Sequence, residues 1–166
     1  MDTMLAFSLL TPRPSCPVTS KMVHFRKDAI FVQYNIARMK SILDRHLSEY
    51  ALHRRGNLCF SLLANEHEWN IAMVNLLKMQ QLNQSLIRQL TECDTVECHF
   101  DYNKIVDQLK KLAHSFSCYY RNVKILAEPV DRLVPLIETR VAFCKIILNA
   151  ASLCFRLFGI ATADRM

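Results

Sequence analysis

Long apolar lines at helical spacing, almost free of glycine, constrain this chain more than any other feature. Val32, Ile36, Met39, Leu43, Leu47 and Tyr50 follow one another at intervals of three or four. That is one helix face held over about five turns, and it predicts a helix over residues 27–52 with Gly56 as its stop. A second line runs through Ala72, Leu76, Met79, Leu82 or Asn83, Leu86 and Leu90, behind Asn65 as N-cap with Glu66 and Glu68 in the first turn. Ile105, Leu109, Leu112, Phe116, Tyr119 and Val123 mark a third helix over residues 102–124. A fourth, over 134–158, ends where Gly159 suits the left-handed residue beyond a C-cap. No long segment alternates with period two. With 2 glycines in 166 residues, tight hairpins and phosphate-cradling loops lack the residue whose positive φ they use. The expected fold is all-α, an antiparallel bundle of four long helices in one domain over residues 23–166.

Residues 1–22, with the run Thr-Pro-Arg-Pro-Ser-Cys-Pro, read as a loose leader. Their apolar start has an acidic flank and no basic residue, unlike a signal peptide. Residues 141–160 are apolar, yet Lys145, Asn149, Ser152 and Arg156 form one polar stripe, as on a surface helix and not a membrane span. Seven cysteines are an odd number, so at least one is unpaired, and a reducing compartment, the cytoplasm, is expected. Cys93, Cys98 and His99 have no second pair to complete a metal site. His114 and Cys118 stand four apart without a third orienting group. Glu66 and Glu68 point to different faces, which suits capping better than acid–base work. The chain reads as non-catalytic, without metal or cofactor.

The net charge of +6 is uneven. Residues 21–60 carry an excess of five positive charges and residues 101–126 an excess of three, around an acidic stretch. Such a pattern suits an anionic partner touching two regions. Off the core lines, Tyr34, Arg38, Ser41 and Arg45 form a stripe on the first helix. Lys110, Ser117, Tyr120 and Lys124 form another on the third, with Arg121 beside it. Tyrosines can stack on unpaired bases and cations can meet phosphates; a solvated helix face would show the same pattern.

The segment Phe31-Val32-Gln33-Tyr34-Asn35-Ile36-Ala37-Arg38-Met39-Lys40-Ser41-Ile42-Leu43 resembles the helix that opens the DALR anticodon-binding domain of arginyl-tRNA synthetases. Phe116-Ser117-Cys118-Tyr119-Tyr120 resembles that domain's Phe-x-x-Phe-Tyr helix. Arg140-Val141-Ala142-Phe143-Cys144 and Leu157-Phe158-Gly159-Ile160 are similar to its last helix and chain end. The resemblance covers about residues 27–166. It implies a bundle of the class I synthetase anticodon-binding type that binds arginine tRNAs. The anticodon loop would meet Tyr34, Arg38, Arg45, Lys110, Tyr120, Arg121, Lys124 and the chain end at Arg165 and Met166. Tyr34-Asn35, Glu66-His67-Glu68-Trp69 and Glu128-Pro129 resemble more closely the non-synthetase members. That finer likeness implies an adaptor presenting arginine tRNAs to a methyltransferase that forms 3-methylcytidine, with no membrane partner. The alternative is the anticodon-binding domain of an arginyl-tRNA synthetase whose catalytic part lies elsewhere; the chain is expected to be a fragment or isoform of something longer. Ser20-Lys21-Met22 does not stand for an ATP-binding signature. A third possibility is a helical module whose basic faces dock an acidic protein.

Overall fold

No proline or glycine interrupts the chain between Pro17 and Gly56, and helix fills most of that interval. The structure, a computed structural model, describes residues 18–50, 58–92 and 102–162. Helix α1 (Val18–Glu49) starts directly after Pro17, so the helix expected from residue 27 begins earlier. Gly56, Cys16, Cys93, Cys98, His99, Arg165 and Met166 lie outside the described residues.

A short 3₁₀ turn (Phe60–Leu62) leads to Asn65, whose side chain accepts from the His67 backbone N–H at 2.9 Å while Glu68 accepts from the Asn65 N–H at 3.1 Å. This reciprocal cap starts α2 (Glu66–Trp69), which runs through a π-helical segment (Asn70–Leu76) into α3 (Leu77–Glu92) as one rod. Helices α4 (Tyr102–Asn122) and α5 (Val134–Leu157) follow. Gly159, at φ +63°, closes α5: its N–H reaches Arg156 O at 3.1 Å and the Ile160 N–H reaches Phe155 O at 2.9 Å, the paired bonds of a Schellman end. No strand occurs among the described residues, and no described helix is long and apolar enough to cross a membrane.

Side-chain contacts give the directions. Glu68 meets Tyr119 and Asn75 meets Gln108, so the α2–α3 rod and α4 run antiparallel. Tyr119 packs on Phe143, and Arg140 reaches Lys124, so α4 and α5 do too. Helix α1 instead runs parallel to α4: Asp28 faces Lys110 and Arg38 faces Tyr120. With the α2–α3 rod taken as one helix, the four long helices alternate in direction along the chain, and α1 and α4 lie side by side.

On α4 the expected core line holds throughout, from Ile105 to Val123, with Phe116 and Tyr119 fully buried. Each such aromatic contributes on the order of 1.5–3 kcal/mol. Two other lines are corrected. On α1 Leu47 is 55 % exposed, and the buried residue at that turn is His46, 5 % exposed, paired with Glu138 at 3.1 Å. On the rod, Ala72 and Leu76 are only partly buried, while Glu68, Ile71, Asn75 and Met79 face inward. The π segment, with its wider turn, shifts the inward face. Hydrogen bonds allow the polar residues there: Asn75 Nδ2 donates to Ser115 Oγ at 3.0 Å, and Gln108 Nε2 donates to Asn75 Oδ1 at 3.2 Å.

Candidate nucleic-acid interface

Because α1 and α4 run parallel, residues spaced alike along them meet in register. Asp28 and Lys110 pair at 3.1 Å. Ten residues further along both helices, about 15 Å of helix, the Arg38 guanidinium lies over the Tyr120 ring, 4.5 Å from its centre. The same guanidinium lies 4.3 Å from the centre of the Tyr34 ring and donates to the Tyr34 hydroxyl. One cation is thus held between tyrosines from two helices, an arrangement favoured by the ring quadrupoles. Tyr34 and Tyr120 are 40 % and 39 % exposed, and the Tyr120 ring also lies 6.3 Å from that of Phe116. The two stripes meet at one site.

What fixes Tyr120 there is the helix period. Tyr119 is 0 % exposed, edge-on to Phe143 at 6.2 Å, and its hydroxyl donates to Glu68 Oε1 at 3.1 Å. Burial pushes its phenol well above the ordinary range. Tyr120, about 100° further round, must then emerge toward α1. Glu68 itself is buried, and besides capping the rod it accepts from Arg140 Nε at 2.8 Å. Arg140 Nη1 also donates to the Lys124 carbonyl at 3.2 Å, which anchors the chain just past α4. Composition gives no sign of this buried carboxylate; the local sequence pattern marks Glu68 only as part of a cap.

The remaining expected residues are spread around this centre. Arg45 continues the α1 stripe, exposed, with its guanidinium on Glu49 at 3.2 Å; that hydrogen bond raises its already high pKa. Arg121 is exposed and donates through Nε to the Ser117 carbonyl at 3.3 Å. Lys124 is exposed beyond the end of α4, which stops at Asn122. Lys110 lies away from the tyrosines and is held by Asp28 and Asp107. Arg165 and Met166 fall outside the described residues, but the chain leading to them runs against α1. Gln33 Nε2 donates to the Ala161 carbonyl at 3.1 Å, and Lys40 Nζ donates to Thr162 Oγ1 at 2.9 Å. These bonds bracket the Tyr34–Arg38 turn.

His114 Nε2 and Cys118 Sγ are 3.9 Å apart on the exposed side of α4, and Arg121 also reaches the sulfur, at 3.7 Å. An open apolar cavity of about 410 Å³ lies elsewhere, between Phe60, Trp69, Phe143 and Ile146.

Residues 32–166 match the family described as DALR anticodon binding domain. Over 137 residues the chain is 27 % identical to the arginine–tRNA ligase of Borrelia duttonii (strain Ly), and over 136 residues 30 % identical to that of Borrelia turicatae (strain 91E135). Both alignments cover 82 % of this chain and 20 % of the relative, so the chain spans about a fifth of the length of these curated relatives. No solved structure matches it.

Proposed function

The chain belongs to the DALR anticodon-binding domain family, and on that premise we propose that it is a non-catalytic module that grips the anticodon arm of arginine tRNAs in the cytoplasm. The observation that carries this reading is Arg38 held between Tyr34 and Tyr120. An unpaired loop base needs an aromatic face, and the half-exposed tyrosines offer two. A guanidinium offers several N–H donors to a phosphate or a base edge, and the rings fix where those donors sit. Arg45, Arg121 and Lys124 add positive charge around that centre.

The span of the relatives favours a second reading, in which this domain is the anticodon-binding part of an arginine–tRNA ligase. The adaptor role with a 3-methylcytidine methyltransferase rests on the resemblance of Tyr34-Asn35, Glu66-His67-Glu68-Trp69 and Glu128-Pro129 alone; the relatives named above lend it no support. Sequencing the RNA crosslinked to the chain in cells tests the proposal. Arginine tRNAs, crosslinked in the anticodon loop, are expected to dominate. Recovery of other RNAs only, or of none, contradicts it.

A further inference from the structure

Helix α4 has a second outward face. Lys104, Lys111 and His114 recur on it and are exposed, a stripe about 15 Å long. At the Lys104 end this face forms one wall of a groove of about 430 Å³, with Lys78 and Gln81 of the rod on the other wall and Gln108 between them. A second hollow, which shares Lys111 and includes His114 and Ser115, continues the groove toward the middle of α4. The one carboxylate in the groove, Asp107, lies within 4.0 Å of Lys110, whose charge Asp28 also meets. No ion pair to Lys78 or Lys111 occurs among the described residues. Lys78 and Lys111 thus bring positive charge without an ion pair among the described residues to a groove that also holds amide and hydroxyl groups, a mixture that suits a sugar–phosphate backbone.

Resting on the anticodon reading, we infer that this groove is a second RNA contact, which holds backbone phosphates of the stem continuing from the loop bound at Tyr34, Arg38 and Tyr120. Its far end at Lys104 is about 24 Å along α4 from Tyr120, well away from a base stacked there, so the nucleotides that meet it belong to the stem.

The test compares the native chain, Lys78→Ala/Lys111→Ala and Lys145→Ala, with two probes: a synthetic anticodon stem-loop of an arginine tRNA, and the loop sequence alone as a single strand. Lys145 is exposed on α5 and serves as a control for charge alone. The double variant is expected to bind the stem-loop about tenfold more weakly, with a salt slope shallower by about 2. The single strand should bind it as it binds the native chain, and Lys145→Ala should change neither. Three results overturn the inference while the anticodon reading stands: an unchanged stem-loop affinity and slope, as a groove for an acidic protein would give; an equal loss in Lys145→Ala; or an equal loss with the single strand. A native chain that binds neither RNA overturns the anticodon reading, and this inference with it.

Discussion

Two adjacent tyrosines have opposite duties. Tyr119→Ala removes a fully buried ring and one partner of the buried Glu68; it should cost about 3–5 kcal/mol, read as a lower melting temperature. Tyr120→Ala removes a half-exposed ring that stacks on Arg38. It should leave melting nearly unchanged and weaken anticodon stem-loop binding by roughly five- to a hundred-fold, the value of one base–aromatic stack. Lost affinity at unchanged stability in Tyr119→Ala, with neither lost in Tyr120→Ala, would mean that the facing of α4 is wrong. The cysteines divide in the same way. Burial pushes the thiols of Cys144 and Cys154 up to about 12 and about 11, whereas the Ser61 hydroxyl, 2.8 Å from exposed Cys59, lowers the pKa of that thiol. Because the thiolate is the nucleophile, iodoacetamide should alkylate Cys59 in the native protein near neutral pH and reach Cys144 and Cys154 only after unfolding. Peptide mass mapping reads the order.

At the scale of elements, the ends of the rod and of α5 test how the chain stops and starts. Asn65→Ala removes one half of the reciprocal cap and should cost about 1 kcal/mol. Glu68→Ala, which removes the partner of part-exposed Arg140 and also leaves the buried Tyr119 hydroxyl unpaired, should cost about 1–3 kcal/mol on top of its share of the cap. Denaturant melts of the two variants should rank them in that order. The Asn65 cap, the Gly159 end and the whole inner line of α4 were legible because each depends on a local pattern: a capping residue, a glycine, an apolar period. The inner face of the rod was not. It passes through a π segment, which no apolar period announces, and its buried members Glu68 and Asn75 are polar residues satisfied by α4 and α5. His46 replaced Leu47 in the core for the same reason, with Glu138 as its distant partner. Of the site, the two stripes could be read along the chain. That they meet ring to guanidinium depends on the parallel pairing of α1 and α4, which no single helix encodes.

For the whole molecule, the buried thiols predict a limit to stability in alkali. Cys144 and Cys154 titrate higher in the folded chain than their ordinary 9.0, so between about pH 9 and pH 12 the native state holds more protons than the unfolded one. Stability therefore falls as pH rises through that window, and Cys144→Ala/Cys154→Ala should show a flatter decline in melting temperature. The basic segments predict a second global property. If about four to six phosphates are neutralised, log K for RNA falls against log salt with a slope of roughly −3 to −5; a slope near zero would mean that these segments do not meet phosphate. The central claim, that the Tyr34–Arg38–Tyr120 junction of α1 and α4 is where RNA binds, is tested most directly by the affinity of Arg38→Ala for an arginine-tRNA anticodon stem-loop. Arg38 is only part-exposed and holds two rings by their faces, so its loss should leave the helices folded and weaken binding about tenfold or more. Native affinity in a folded Arg38→Ala chain would contradict the claim.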